Sequence, residues 1–469
     1  MATTKALRGT RQMILGMELG NTSGTQPASW RAPGVDPLEY LNYDARIAYA
    51  QAAERGKFQF LFFPGGPHQV DIEHNPPQHS PDLGIHVALL ARATERIGFV
   101  ASGSTTFNHP YALAQQLKTV DYISHGRVGW NVVPSARPDS NAFFGAEAMP
   151  DSDRYGRARE SIELVQSLWA SWGRDAWVHD QETGQYTRPG GVAPVAFEGR
   201  YVTSRGPLYV PPSEQGQPVI VQSGLGANSF ELAGRYADLA VGLASSIEEA
   251  RSYRDTIRGY AAEAGRDPDE VKYVAGFLPT IGADKRQALD RRASLVASRL
   301  SQWVPQLGEL LGVPLTMADL DRVLQPAEFG ALRAPDPEAP GWVQARTARA
   351  HALASEGWSV RDILSQGVFD EHPTKVGTAT EAADHMQEWF ESGAVDGFWI
   401  CIDVYRDGID AFVDQVVPIL QERGLFHRDY EGTTLREHLG ARDQYGPDYR
   451  VAQTAKPSHF QSPFATVNR

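Results

Sequence analysis

Apolar residues along this chain come in short runs, separated by longer stretches in which they recur every three or four positions. The runs "MILGMEL" (13–19), "FQFLFFP" (58–64), "IGFVASGST" (97–105) and "RVGWNVVPS" (127–135) read as strands. After them, in turn, "PLEYLNYDARIAYAQAAERG" (37–56), "DLGIHVALLARATER" (82–96), "PYALAQQLKTVDYIS" (110–124) and "RYGRARESIELVQSLWASW" (154–172) carry helical spacing. Four such units predict a parallel sheet, because parallel neighbours need a crossover and a helix is the usual one. The strand runs are apolar almost throughout, which predicts that both sheet faces are covered. Alternation returns in "PVIVQSG" (218–224), "LAVGLA" (239–244), "VKYVAGFLPTIG" (271–282) and "GFWICID" (397–403). Eight strands in this order predict an α/β fold, a closed (β/α)8 TIM barrel with insertions, over an open sheet with a topological reversal.

The rhythm breaks twice. Residues 173–217 are rich in Gly and Pro and predict an irregular insertion with one hairpin. In 284–395, Leu289, Leu295, Val296, Leu300, Trp303, Val304, Leu307 and Leu311 keep a helical period, which predicts a helical hairpin over the barrel mouth. The stretch 330–345 reads as a mobile loop. The expected organisation is one barrel over 1–426 with these insertions, and a C-terminal extension over 427–469, polar and aperiodic, that wraps the barrel or a neighbouring subunit.

Composition narrows the partners. With 469 residues, 42% hydrophobic and 22% charged, the chain has material for a large core, and a net charge of -13 argues against nucleic acid or an anionic membrane surface. The N-terminus has no signal-peptide pattern, no run reaches the length of a membrane helix, and the single cysteine, Cys401, excludes an internal disulfide framework; a cytoplasmic setting is expected. Cys401 lies inside an apolar strand and reads as a small buried hydrophobe.

In a barrel, chemistry belongs where strands end. Those ends supply Glu18, Gly65, Gly66, Ser102 to Asn108, Asn131 to Ser135, Gln222 to Gly226 and Asp403: hydroxyls, amides and glycines, with no obvious carboxylate pair and no nucleophile elbow. Such a set suits a planar, phosphate-bearing cofactor that carries its own chemistry. "VQSGLGANS" (221–229) runs glycines into a helix start, either an anion cradle or a plain turn. His68, His74, His79 and His86 match no ligand spacing, so no metal is expected. His109, between Asn108 and Pro110 at a strand end, is better placed for function, although a satisfied surface histidine is the commoner role. Trp172, Trp177, Trp303, Trp342 and Trp358 fall in or beside the insertions and are candidates to line an apolar pocket.

Several long segments are more specific than any one motif. "RQMILGMEL" (11–19), "TERIGFVASGSTTFNHPYALAQQLKTVDYISHGRVGWNVV" (94–133), "RYGRARESIELVQSLW" (154–169), "FEGRYVTSRGPLYVPPSEQGQPVIVQSG" (197–224), "ELAGRYADLAV" (231–241) and "YEGTTLREHL" (430–439) together resemble the bacterial luciferase-like flavin-dependent monooxygenases. The branch they resemble contains the nitrilotriacetate, EDTA and dibenzothiophene sulfone enzymes. The resemblance implies a two-component enzyme. It would use reduced FMN, supplied by a separate NAD(P)H:flavin reductase, and O2 to oxygenate a small organic substrate, with C–S or C–N cleavage among the outcomes, and it would form a homodimer or homotetramer. Carried over by position, Thr105 and Thr106 approach the flavin ring, Asn131 and Ser135 flank it, Tyr155 reaches its phosphate, and Ser223, Gly224, Leu225 and Gly226 cradle that phosphate. Asn108 and His109 take the oxygen-reacting edge. The chain departs from the family pattern at Gly65, where an Asp is usual, at Asp151, where a His is usual, at Gly226, where a Ser is usual, and at Pro134, where a Thr is usual. Two alternatives remain open: a deazaflavin-dependent oxidoreductase of the same fold, and a non-catalytic barrel subunit that has lost flavin.

Overall fold

The computed structural model of the chain describes residues 11–66, 70–77, 82–330, 332 and 341–445. All eight expected strands form: β1 (Ile14–Glu18), β2 (Phe60–Phe63), β3 (Gly98–Ser104), β4 (Val128–Val133), β5 (Val219–Ser223), β6 (Leu239–Gly242), β7 (Lys272–Ile281) and β8 (Gly397–Ile400). The fold is a closed eight-stranded parallel (β/α)8 barrel. Its residues divide into two units, Met1–Gly56 with Gly242–Arg254 and Val274–Arg428, and Lys57–Val241 with Asp255–Tyr273 and Asp429–Arg469. Among the described residues no helix is long and apolar enough to cross a membrane.

The second unit holds β2 to β5 side by side. Phe60 pairs with Gly98, Phe99 with Val128, and Gly129 with Val219, all parallel, and Leu239 of β6 continues the series beside Val221. These strands are buried throughout most of their length because helices cover them: Trp130 of β4 is fully buried and meets Trp169 of the helix Asp151–Trp169 edge-on at 6.2 Å. The C-terminal segment is built into this unit as far as residue 445. Leu435, in the short helix Leu435–His438, fits where β3 and β4 begin; a Cβ on Gly98 would lie 2.6 Å from its Cδ1, so a side chain there would evict it. Arg436 is buried, donates to the carbonyls of Gln217 (2.9 Å) and Pro218 (3.1 Å), and pairs with Asp238 at 3.4 Å. The insertion at 173–217 forms two antiparallel hairpins, Trp177–Asp180 with Gln185–Thr187 and Val195–Glu198 with Thr203–Gly206, where composition suggested one.

The first unit pairs β1 with β8 (Ile14 beside Gly397) and β8 with β7 (Val274 beside Gly397). The stretch 284–395 holds more than a hairpin. Helices Lys285–Val296, Leu300–Leu311, Gly341–Ser355 and Val360–Ser365 share a core in which Leu300, Val304, Leu307 and Leu311 meet Ala350, Leu353, Ile363 and Leu364. A four-residue strand, Thr374–Gly377, then pairs with the last turns of β7 (Leu278 beside Thr374), and the helix Ala379–Glu391, capped by Thr378, leads back to β8. The loop expected at 330–345 lies largely outside the described residues, as do the tail beyond 445, His68 and His79.

This unit buries ionisable groups. Glu18, at the end of β1, accepts from Asn21 and lies 3.7 Å from the Cys401 thiol; burial pushes its carboxyl up to about 7. The same burial pushes the Cys401 thiol up, in keeping with a small inert core residue. His372, edge-on to Trp399 at 5.0 Å, and His385, stacked on Phe277 at 5.0 Å, are both pushed down by burial to about 4.

Candidate functional site

Because β2 to β5 are parallel neighbours, the loops that follow them emerge on one side of the second unit. The loop after β3 is held by a set of hydrogen bonds. The Ser104 hydroxyl meets that of Ser135, beyond β4, at 2.8 Å, and accepts the N–H groups of Thr106 and Phe107 at 3.2 Å each. The Thr106 hydroxyl donates to the Ser135 carbonyl (3.1 Å), and the buried Thr105 donates its N–H to Val133 O (3.0 Å). Ser135, Thr105 and Thr106 are therefore brought together, around a hydroxyl at Ser104.

Asn131 sits inside β4, not at its end, and is buried. Its Nδ2 donates to Ser102 Oγ at 2.9 Å, while its Oδ1 has no hydrogen-bond partner among the described residues. One strand over, the buried Gln222 donates to Ser223 O (2.8 Å) and likewise leaves its Oε1 unpartnered. Buried acceptors of this kind cost free energy unless something donates to them, so each marks a place for a donor.

Asn108 and His109 are exposed and locally engaged. Asn108 Nδ2 donates to Ser104 O (2.9 Å), and His109 caps the helix Pro110–Ile123, its Nδ1 accepting from the Tyr111 N–H at 3.2 Å. Gly65 follows β2 in a confined place: a Cβ there would lie 2.6 Å from Leu83 Cδ1 and 2.8 Å from Ser102 Cβ.

After β5 the chain turns through Gly224 and Gly226, at φ of 136° and 98°, and enters the helix Ala227–Tyr236. Both angles lie in the left-handed region that glycine tolerates, so the Ser usual at 226 in the family would be strained here. Nothing lies within 4 Å of where a Gly226 Cβ would point, so the turn is open above the helix N-terminus. Beneath it the Tyr155 hydroxyl meets Ser229 Oγ at 2.9 Å, and both residues are buried. Ser229 is a member that sequence reasoning passed over; its position in the first turn after the glycines is the signal for it. Asp151, four residues before Tyr155, turns outward and is held by Arg154 at 2.7 Å; Arg154 also donates to Pro134 O (2.5 Å) and stacks over the Tyr155 ring at 4.6 Å. Arg157 donates to Thr105 O (2.8 Å) and Tyr201 O (3.1 Å).

A cavity of about 540 Å³ opens beside these loops, lined by Gly65, Ser104, Asn108 and Ser135 at the rim and by Val87, Leu113 and Leu117 below. Its aromatic wall is Phe107, Phe143 and Phe144. The described tryptophans of the insertions do not line it: Trp172 is buried against Trp177 at 4.8 Å, Trp303 lies 5.7 Å from Phe369, and the Trp358 ring is 5.7 Å from Lys285 Nζ. The side chain of Trp342 is not among those described.

A barrel with hydroxyls and a glycine turn at its strand ends, and unpaired amide oxygens inside β4 and β5, has the features of an enzyme that binds its reagent as a cofactor. The model of the family described as luciferase-like monooxygenase matches residues 17–396, and the chain belongs to that family. It is 35% identical over 442 residues to N-acetyl-S-(2-succino)cysteine monooxygenase of Bacillus subtilis (strain 168), covering 92% of this chain and 97% of that one. Among solved structures, EDTA monooxygenase from Chelativorans sp. BNC1 superposes with a TM-score of 0.78 at 31% identity, over 93% of this chain and all of that one. A riboflavin lyase solved with modified FMN and riboflavin superposes with a TM-score of 0.74 at 26% identity, over 95% of this chain and all of that one. The chain is thus an oxidoreductase of a monooxygenase family whose members are flavin-dependent.

Proposed function

We propose that the protein is a two-component monooxygenase that uses reduced FMN, delivered by a separate NAD(P)H:flavin reductase, and O2 to oxygenate an organic substrate. The observation that carries this reading is the turn at Gly224 to Gly226 above the buried Tyr155–Ser229 hydroxyl pair. A helix N-terminus presents N–H groups and a positive dipole end, and an open glycine turn lets an anion approach them. The residues present fit FMN. Gly224, Leu225, Gly226 and Ala227 with Tyr155 would hold the phosphate. Thr105, Thr106, Ser135 and the unpartnered oxygens of Asn131 and Gln222 would face the ring, whose reduced form has N–H donors to offer. When bound, the reduced flavin supplies the electrons that activate O2. The chain's own part is to bind, to orient and to exclude water, which needs no general acid or base in the loop set.

C–S cleavage is the outcome favoured within this reading, since the similar enzyme of B. subtilis is named for a thioether substrate. Anaerobic titration with reduced FMN tests the cofactor assignment: saturable binding at micromolar concentration is expected, and its absence refutes the reading. Admitting 18O2 in the presence of substrate and a flavin reductase should then place one labelled oxygen in the product.

A further inference from the structure

The described lining of the cavity beside the flavin rim holds no Lys, Arg or His. Its single ionisable group is Asp82, whose carboxylate already caps the helix Leu83–Arg92 by accepting the Ile85 N–H at 3.0 Å. The guanidinium groups carried by the helix Asp151–Trp169 at this end are committed elsewhere: Arg154 to Asp151 and Pro134 O, Arg157 to two carbonyls. The cavity's remaining polar residues are neutral: Gln116, and Ser102, Ser104, Ser135 and Asn108, which are bonded to one another or to backbone. A carboxylate entering this space would lose its hydration, meet no cation among the described lining residues and face Asp82.

The walls favour the opposite kind of molecule. Val87, Leu113 and Leu117 form an aliphatic floor. At the mouth Phe107 and Phe144 stack at 4.3 Å with planes 12° apart, and Phe143 and Phe144 are 57% and 53% exposed, large apolar surfaces left open to solvent at a cavity edge. A volume of about 540 Å³ is that of a drug-sized ligand site.

We propose that this cavity takes an uncharged, apolar, ring-bearing substrate and discriminates against polycarboxylates. The assignment of the cavity as a substrate site rests on the monooxygenase reading; its preference for neutral rings does not need flavin. The experiment therefore uses the full chain without flavin or reductase. Nile red, a neutral dye, is bound and then displaced by 2-methoxynaphthalene or by 2-naphthoate, similar in shape and different in charge. The neutral competitor is expected to displace the dye at a concentration at least roughly tenfold lower. Gln116 lines the cavity from an exposed helix position, so Gln116→Arg should fold and should narrow that ratio by drawing in the carboxylate; Phe144→Ala should weaken the neutral competitor about tenfold. Equal displacement by both competitors, failure of Nile red to bind, or a ratio unmoved by Gln116→Arg would each overturn the proposal. Failure of reduced FMN to bind, with the naphthalene preference intact, would instead count against the monooxygenase reading alone.

Discussion

The two units of the barrel handle polar groups in opposite ways. The second unit sets uncharged ones around its proposed site: the Ser104–Ser135 hydroxyl pair and the open glycine turn at strand ends, and the buried Tyr155–Ser229 pair beneath that turn. The charges near them are turned outward or neutralised, as with Asp151 and Arg154. The first unit buries an acid and a thiol at Glu18 and Cys401 and half-buries two imidazoles at His372 and His385. The second unit has buried charge too, but where strands begin: Asp121 bonds the N–H of Val128 at the start of β4, and Arg436 lies against Asp238. Neutral donors and acceptors of this kind suit the cofactor proposed for this region. Ionisable groups sealed in a core make stability depend on pH instead.

The largest effect should come from the floor of the second unit. Arg436→Ala removes four partners at once, the carbonyls of Gln217, Pro218 and Arg442 and the carboxylate of Asp238, and takes a cation from that buried acid, a loss of about 3–5 kcal/mol in urea or thermal unfolding. A loss under about 1 kcal/mol would mean that the segment after residue 429 is an appendage and not part of the unit.

In the first unit the test is a pH profile. Glu18 is raised from 4.5 to about 7, so between those values the folded chain holds a proton that the unfolded chain releases. Stability from this group is complete below 4.5 and is lost as pH rises through 7, an effect of about 3 kcal/mol at most. His372 and His385 are lowered from 6.5 to about 4, so they act in the reverse sense and cost stability as pH falls through that window. Glu18→Gln keeps the hydrogen bond with Asn21 and should abolish the decline on the alkaline side while leaving the acid limb. An unchanged alkaline slope would show that the carboxyl is not the group responsible.

The strands were legible because each is a compact apolar run between glycines and polar helices; "FQFLFFP" and "IGFVASGST" have few other readings. Thr374–Gly377 was not, since "TKVG" carries one large apolar residue and exists as a strand only because β7 runs long enough to pair with it. The candidate site divides the same way. Gly226, Tyr155 and Ser135 are visible from the resemblance and from their places at strand and helix ends. Ser104, Ser229 and the Phe107–Phe144 stack depend on which side chains meet across loops, and no spacing encodes that. The tryptophans drew the aromatic expectation to the insertions, whereas the cavity takes its aromatics from phenylalanines in the loops after β3 and β4.

A smaller effect returns to the second unit's hydroxyl pair. Tyr155→Phe removes the donor or acceptor facing Ser229 in a buried setting, which should cost about 1 kcal/mol of stability. If the phosphate of FMN lies at the turn above, the same change should weaken reduced FMN several-fold in anaerobic titration. A stability loss with unaltered flavin affinity would assign the pair to the core and move the phosphate elsewhere.

The smallest effect belongs to Asp151, and it probes how neutral the rim is kept. Its side chain is 73% exposed and its bond to Arg154 is a surface ion pair, so Asp151→Asn should change stability by no more than about 0.5 kcal/mol. Arg154, only 11% exposed, lies over the Tyr155 ring and donates to Pro134 O, so its guanidinium should stay in place when Asp151 is neutralised. One negative charge then leaves the neighbourhood of the helix that would face a phosphate dianion, and reduced FMN should bind about two- to threefold more tightly at low salt. Between groups this exposed, added salt screens the interaction within about 10 Å at 0.1 M and about 3 Å at 1 M. The gain should therefore vanish in 1 M salt, where wild type and variant converge. A gain that persists at high salt would have to arise from rearranged contacts at Tyr155, and no change at any ionic strength would place the phosphate beyond the reach of this carboxylate.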